Sequence, residues 1–324
     1  MPDRVPPLSL SLIEQARAFL SGRLRPTPVE ESPALSAILG VPAWLKLESL
    51  QVTGSFKIRG ALFRLSRLSE HEKRAGIATC SAGNHGKAVA YAARSLGLVP
   101  TITVPASVDE SKYRAIVALG AEVIRSEFPG YDDTEEWAMR EAERSGRVWI
   151  SAFDDEAIMA GNGGSLALEI LEDVPDSRGF VLPVGGGGMS AGLAFAVREK
   201  LSHATIVGCQ HEASPALALS LERGHAVTRL PAVETAAGGI EGGIGRKTFE
   251  VLRSRIDRVA LVSEREIFEG VRWILEKHQH LIEPSAAAAV AACLTGKAGR
   301  FESPVVVVIS GRNVSLETPK KILL

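Results

Sequence analysis

Thr53-Gly54-Ser55-Phe56-Lys57-Ile58-Arg59-Gly60 sets one lysine among small residues, with an aromatic directly before it. A lysine amine attacks a carbonyl near neutral pH only when it is partly desolvated, and small neighbours let a bulky group reach it. Alone, the octet reads more simply as a surface lysine at a helix start. Its weight comes from three further segments, at 81–86, 185–189 and 310–313.

In Val184-Gly185-Gly186-Gly187-Gly188-Met189, four consecutive glycines follow an apolar run and precede a helical pattern. Such glycines allow backbone N–H groups to converge on an anion, and the dipole of the following helix adds to the attraction. A flexible linker is the competing reading, and the apolar stretches on both sides argue against it. The spacing is not GxGxxG, and no Lys-Ser or Lys-Thr follows, which excludes a Walker A loop and disfavours a dinucleotide fold. A phosphate outside a dinucleotide fits better.

Ser81-Ala82-Gly83-Asn84-His85-Gly86 also follows a strand-like run and opens a helix. Its N–H groups and the Ser81 hydroxyl could hold a carboxylate, and the Asn84 amide could donate to a phenolate-like oxygen. An ordinary Ser or Asn helix cap explains both residues equally well. His85 is a candidate base, although a loop histidine is more often anchored to backbone. Ser310-Gly311-Arg312-Asn313 ends the last strongly β-branched run. A hydroxyl there can hydrogen-bond a ring nitrogen without protonating it, and strand-end turn chemistry is the alternative.

Elements that could position these loops alternate along the chain. Strands are expected over 43–47, 76–80, 101–104, 122–125, 148–151, 180–184, 205–210, 259–262 and 305–309. Helices are expected over 8–21, 86–96, 110–119, 134–145, 158–171, 188–201, 264–277 and 284–294. This rhythm predicts parallel sheets with helices on both faces, where ligands collect at glycine-rich turns after strand ends. Residues 70–150 form a compact strand–helix block that could be a separate lobe. The alanine-rich run 286–292 reads as a helix packed closely on a sheet.

Composition agrees with that class. The 324 residues are 45% hydrophobic and only 5% aromatic, with 31 glycines, as in an α/β protein of two domains. Lys plus Arg number 37 and Asp plus Glu 38, a net charge of −1 that offers no basic stripe for nucleic acid. Cys80, Cys209 and Cys293 are far apart and read as small buried hydrophobes in a reducing compartment. Neither a signal-peptide pattern nor a bilayer-length apolar run is present, so a cytoplasmic location is expected.

Taken together, the motifs resemble the fold-type-II pyridoxal phosphate enzymes, in the branch of serine/threonine dehydratases and serine racemases. The segment Gly54 to Ala61 is similar to that branch's cofactor-lysine motif, Ser81 to Gly86 to its substrate-carboxylate loop, and Pro183 to Met189 to its phosphate loop. Ile282-Glu283-Pro284-Ser285 and Ser310-Gly311-Arg312-Asn313 are similar to its late motifs. All appear in the family's order, across roughly residues 10–315. Cysteine synthases fit worse, since they carry a different lysine motif and a threonine-bearing loop.

The resemblance implies a two-lobed α/β fold of the tryptophan synthase β type, with mostly parallel twisted sheets flanked by helices. Residues 1–69 plus 151–324 would form the large cofactor-binding domain, and 70–150 a small mobile one. It further implies pyridoxal 5'-phosphate held by Lys57 as a Schiff base, with Phe56 near the ring and Asn84 at the ring hydroxyl. Gly185, Gly186, Gly187, Gly188 and Met189 would bind the phosphate, and Ser310 the pyridine nitrogen, with Glu283 near that end of the ring. Ser81, Ala82, Gly83, Asn84 and His85 would line the substrate carboxylate site. The implied activity is loss of water from a β-hydroxy amino acid, L-threonine or L-serine, giving a 2-oxo acid and ammonia. Serine racemase and hydroxyaspartate or phenylserine dehydratase are the alternatives within the family. A phosphate- or nucleotide-binding protein without chemistry is the alternative outside it. A small amino acid as substrate and a homodimer complete the expectation; membrane or nucleic-acid partners are not expected.

Several positions depart from the pattern. Ala82 replaces the serine that racemases use as proton donor on the face opposite the lysine, and an alanine carries no exchangeable proton. Gln210 and Ala216 stand where some relatives carry acidic ligands for a divalent cation, so no metal is expected unless Glu212 substitutes. Arg312 replaces a usual glycine and Lys87 a usual glutamine. Either is a solvated side chain or an attraction for an extra acidic group. The loop Gly238-Gly239-Ile240-Glu241-Gly242-Gly243 would border the substrate side chain. No domain for allosteric control by isoleucine is expected.

Overall fold

The computed structural model describes residues 7–315 and 317–323. Among the described residues, ten strands form two sheets: β1 Val29–Glu31, β2 Ala43–Leu47, β3 Ile77–Cys80, β4 Pro100–Val104, β5 Glu122–Arg125, β6 Val148–Trp149, β7 Gly179–Pro183, β8 Thr205–His211, β9 Arg258–Val262 and β10 Val305–Ile309. The larger sheet runs β1-β2-β10-β7-β8-β9 and the smaller β5-β4-β3-β6. All pairings are parallel except that of β1 with β2. β2, β4, β7 and β10 are nearly or wholly buried, and apolar except for Lys46 in β2 and Thr101 and Thr103 in β4, as expected of strands covered by helices on both faces. The alanine-rich helix Pro284–Leu294 is buried along ten of its eleven residues, and its small side chains let it lie close against the larger sheet.

The antiparallel β1 is absent from the sequence expectation, being three residues with two acidic side chains. A second difference is more consequential. The helix expected over 158–171 is three pieces: α-helix Glu156–Met159, a π-helical turn Ala160–Gly164 and α-helix Ser165–Asp173. The run Ala160-Gly161-Asn162-Gly163-Gly164 loosens the helix because its glycines bring other helices into backbone contact. A Cβ on Gly161 would lie 2.6 Å from Gly60 Cα, and one on Gly163 would overlap the Met189 carbonyl oxygen. The turn therefore touches helix Lys57–Ser66 on one side and helix Gly188–Lys200 on the other. Asn162 seals the first contact, its Oδ1 accepting from Gly60 N–H at 2.8 Å.

Helix Lys57–Ser66 is buried from Ile58 to Leu65 and is not among the helices expected from the sequence. Ile58, Ala61, Leu62 and Leu65 join the apolar cluster of helix Asn84–Ser95 beneath the smaller sheet. Arg59 faces the other way, into a group of buried charges. Its guanidinium, 2% exposed, donates to Glu48 at 2.7 and 2.8 Å and to Glu169 at 3.0 Å twice. Lys46 closes the group, its Nζ bonding Glu169 at 2.7 Å and Asp173 at 2.9 Å.

Gly163→Ala has no space for its methyl, and forcing it in should lower the unfolding free energy by about 1–3 kcal/mol. Gly130 has negative φ (−96°) and nothing within 4 Å of an added Cβ, so Gly130→Ala should leave stability nearly unchanged. Urea unfolding of the two variants checks the contrast.

Candidate active site

Lys57 opens its helix immediately after a short antiparallel bridge between Ser55 and Gly311. The Phe56 N–H donates to Ser310 O at 3.2 Å and the Arg312 N–H to Gly54 O at 2.9 Å. Gly54 adopts φ +77°, and a Cβ there would press on the Asn313 side chain, so glycine is required at this turn. The octet and the end of β10 are thereby fixed together, and Lys57 and Ser310 share one corner. Ser310 is 3% exposed.

The Lys57 ammonium donates to Ala152 O at 2.8 Å and lies 5.4 Å from the centre of the Phe56 ring. Burial lowers its pKa to about 8, with Glu283 pulling the other way. A lysine held there has a large neutral fraction near physiological pH, which nucleophilic attack and proton abstraction both require.

Asn84 and Glu283 meet face to face. Asn84 Nδ2 donates to the two Glu283 carboxylate oxygens at 2.8 and 3.0 Å, and Asn84 Oδ1 accepts from Asn313 Nδ2 at 2.6 Å. Burial pushes the Glu283 carboxyl up from its ordinary value, opposed by the N–H groups of Asn84 and Asn313 and by the charges of Lys87 and Lys57. Thus the Asn84 amide, expected at a ring hydroxyl, spends its donors on Glu283 in this arrangement. Glu283 also lies against Gly311: its own N–H donates to Gly311 O at 3.0 Å.

Ser81, Ala82 and Gly83 form the turn between β3 and helix Asn84–Ser95. Ser81 Oγ accepts from Gly83 N–H at 3.2 Å, and the Ala82 methyl packs against the small apolar cluster around Ile102 and Ile116. His85 is buried, with Nε2 shared between Thr79 Oγ1 at 3.1 Å and Ile150 O at 3.3 Å. Burial and the nearby Lys57 charge depress its pKa to about 3. His85 is an anchored neutral imidazole, with the bond to Ile150 O fixing the proton on Nε2 and leaving Nδ1 without a partner.

The glycine-rich loop is a cradle whose floor admits no side chains. A Cβ on Gly185 would overlap Gly239 O, one on Gly186 the Phe153 ring, and one on Gly188 would lie 2.8 Å from Phe153 Cα. Gly187 sits at φ +93°, next to the Thr248 hydroxyl, which donates to Gly186 O at 2.7 Å. Helix Gly188–Lys200 points its N-terminus into this loop, and Met189 is buried behind it. The donor set suits a phosphate, and the corner beside it holds a desolvated lysine. These features fit pyridoxal phosphate, its phosphate on the glycine loop and its carbonyl at Lys57.

Sequence reasoning missed the segment after β6 that ties these parts together. Ile150 O receives His85 and Thr79, Ala152 O receives Lys57, and the Phe153 ring covers the glycine loop. Asp154 Oδ1 caps helix Arg246–Leu252 through Lys247 N–H at 2.9 Å and Thr248 N–H at 3.1 Å. Backbone carbonyls carry no residue-type signal, so only the short Phe-Asp-Asp string could have hinted at it. The loop expected beside the substrate side chain packs on the cradle, with Gly239 N–H donating to Ser285 Oγ at 2.8 Å. Gln210, fully buried, donates to Val184 O at 3.3 Å and accepts from Leu217 N–H at 2.9 Å and Ala218 N–H at 3.2 Å. Its carboxamide is a helix cap, and Glu212 is exposed.

A glycine cradle and a buried lysine at the ends of parallel strands define a fold-type-II pyridoxal phosphate enzyme. The sequence matches the family described as pyridoxal-phosphate dependent enzyme over residues 20–311, and the chain belongs to it. It is 36% identical to an L-threonine ammonia-lyase of Geobacter sulfurreducens, over 96% of this chain and 77% of that protein. Among solved structures, a processed threonine deaminase isoform of Solanum lycopersicum superposes with a TM-score of 0.89 at 28% identity, covering 99% of this chain and 98% of that one. Maize serine racemase superposes with a TM-score of 0.89 at 29% identity, covering 98% and 99%. The chain thus falls within the branch shared by threonine dehydratases and serine racemases.

In cofactor-free protein, amine-directed labelling of Lys57 should reach half its limiting rate near pH 8, the value its burial sets. Surface lysines titrate about two units higher, near their ordinary pKa of about 10.4. Peptide mass mapping across pH separates the two populations.

Proposed function

We propose that this protein is a pyridoxal-phosphate-dependent ammonia-lyase that eliminates water from β-hydroxy amino acids, L-threonine first and L-serine second. The observation that carries this is Lys57: an amine brought to about pKa 8 by burial, beside a phosphate cradle, with no second proton donor supplied at position 82.

On this reading Lys57 would hold the cofactor at its carbonyl, Phe56 would wall the ring, and Asn84, Glu283 and Ser310 would lie at its polar edge. Gly185, Gly186, Gly187, Gly188 and Met189 receive the phosphate. Pyridoxal phosphate, when bound, supplies the electron sink for carbanion charge at the α-carbon. The turn Ser81 to His85 would hold the substrate carboxylate through the Ser81 hydroxyl and the N–H groups of Ala82, Asn84 and His85, the Ser81 N–H being bonded to Thr103 O, and would orient the α C–H bond toward Lys57. The Lys57 amine would take that proton. The β-hydroxyl would leave as water, with the equivalent of the proton removed from the α-carbon, and the enamine product would hydrolyse to a 2-oxo acid and ammonia. His85, held neutral by burial, takes no proton and instead fixes the start of its helix. Ser310 offers a hydroxyl, not a carboxylate, to the ring nitrogen.

We assign the cofactor body to residues 1–69 and 151–324, and a smaller mobile lobe to 70–150, whose loop at 81–85 would close on the substrate. The active species is proposed to be a homodimer, acting in the cytoplasm. Relatives named for threonine ammonia-lyase activity support the reaction, and the absence of a serine at position 82 weighs against racemisation.

Purified holoenzyme given L-threonine should form 2-oxobutanoate and ammonia in equal amounts. Lys57→Ala should abolish this while leaving the fold intact. With L-serine, pyruvate should exceed D-serine by at least about tenfold. Ala82→Ser should raise D-serine relative to pyruvate. Comparable D-serine and pyruvate from the wild type would sink the elimination reading.

A further inference from the structure

The turn Ser81-Ala82-Gly83 is bracketed by two attachments to the larger body. On one side Asn84 meets Glu283 and Asn313. The other side runs through helix Tyr131–Ser145, which packs on the smaller sheet. The Tyr131 hydroxyl lies 3.3 Å from Cys80 O and 3.0 Å from Glu135 Oε1, its one proton shared between two acceptors. Cys80 immediately precedes Ser81, so the first turn of this helix is tied to the start of the carboxylate turn. Asp132 and Glu136 are four residues apart and share a face of the helix. Arg229 reaches both from outside the smaller lobe. Its Nη2 lies 3.3 Å from Glu136 Oε2 and its Nε 4.0 Å from Asp132 Oδ2.

Arg229 stands on a fixed post. It lies at the root of the segment 227–244, whose ends are joined where the Ile244 N–H donates to Val227 O at 2.9 Å. The two arms run so close that a Cβ on Gly243 would overlap Thr228 O. The next N–H, of Gly245, donates to Gly186 O of the glycine cradle at 3.2 Å. Farther out, the segment is pinned to the larger body at three points. Gly239 and Gly242 N–H groups donate to the Ser285 and Ser214 hydroxyls, and the Ala236 N–H donates to Glu264. Arg229 therefore joins the phosphate side of the site to the helix that backs the carboxylate side.

We propose that Arg229 is a positioning residue, a latch that holds the smaller lobe closed by pairing with Asp132 and Glu136 and so presents the turn Ser81 to His85 to the substrate carboxylate. This deepens the ammonia-lyase reading, on which it rests for the two lobes and for the role of that turn. All three side chains are exposed, so the pairing is weak, screened by salt and able to release in every turnover. Arg140, on the same helix, lies 3.3 Å from the other Glu136 oxygen and keeps that carboxylate paired when Arg229 lets go. If the turn is in place in only a fraction of molecules, apparent substrate affinity falls by that fraction. Loss of the latch is therefore read in KM before kcat.

The test compares wild-type holoenzyme with Arg229→Lys, which keeps the charge, Arg229→Gln, which removes it, and Arg229→Glu, which opposes Asp132 and Glu136. KM for L-threonine should stay within about twofold in Arg229→Lys, rise in Arg229→Gln and reach about three- to tenfold in Arg229→Glu, with kcat unchanged or higher. The gap between wild type and Arg229→Glu should shrink in about 1 M salt, where charges are screened beyond about 3 Å. In substrate-free holoenzyme, amide hydrogen exchange over 82–85 and 131–136 should quicken in the same order, and exchange across the larger sheet should not. KM and local exchange that stay at wild-type values in Arg229→Glu overturn the latch, as does exchange that quickens equally throughout the protein. If wild type forms no 2-oxobutanoate but exchange at those two segments still follows the order, the lyase reading falls and the latch stands.

Discussion

One buried guanidinium holds the rest of this site in place. Arg59 lies two residues after Lys57 and makes four hydrogen bonds to Glu48 and Glu169, at the start of one helix and within another. A buried ion group is not in itself a strong source of stability, since desolvation offsets most of its Coulomb energy. Its value here is directional. A planar, doubly bidentate guanidinium accepts only one placement, and an error of one residue in the register of helix Lys57–Ser66 would take the guanidinium from two buried carboxylates, leaving Glu48 to the Thr27 hydroxyl and Glu169 to Lys46 and the Thr27 N–H. The first turn of that helix, and with it Lys57, is fixed by the same constraint.

Direction alone does not set distance. The separation between the lysine and the phosphate cradle follows from three helices meeting backbone to backbone at the π-helical turn Ala160–Gly164. Gly60 and Gly161 touch on one side, and Gly163 and Gly192 meet helix Gly188–Lys200 and helix Glu156–Met159 on the other. Contact between main chains leaves no flexible side chain to absorb a change. The lysine-bearing helix and helix Gly188–Lys200 are therefore locked against the same turn, while Ala152 and Phe153 lie between their ends. A covalent attachment at one end of a rigid cofactor and an anion site at the other need that fixed span.

The parts readable in the sequence are those that require a residue type. Four glycines, a lysine among small residues and a hydroxyl after an apolar strand each answer a chemical demand, and their order along the chain identifies the family. Strands β2, β5 and β10 match their expected ranges residue for residue. Helix Lys57–Ser66 is hidden because it is buried all round, so its hydrophobic period is broken by Arg59 and Arg64, each paired to a carboxylate far away in sequence. β1 escapes because its role is an edge, where acidic side chains are ordinary. The π-turn reads as plain helix, since its glycines answer to neighbours more than twenty residues away. Asn313 lies within a legible motif, yet its hydrogen-bond partners become visible only when Thr53, Asn84, Lys87 and Glu283 are brought together.

The site separates two basic side chains that would otherwise compete. Lys57 and His85 are neighbours in the same pocket, and burial depresses both. Lys57 keeps a pKa of about 8 because Glu283 restores part of what desolvation removes. His85 lacks such a carboxylate, feels the Lys57 charge and falls to about 3. Burial lowers a high ordinary value in one case and a near-neutral one in the other, and with Glu283 beside Lys57 the amine is left as the base that can cycle a proton near neutral pH. The Asn84 and Asn313 donors oppose the rise that burial imposes on the Glu283 carboxyl and so favour the charge that supports Lys57. With Ala82 unable to carry a proton, the proposed chemistry converges on one amine. A single acid/base on one side of the α-carbon returns the proton to the side it came from. Expulsion of the β-hydroxyl is then the productive exit, and inversion at the α-carbon is not.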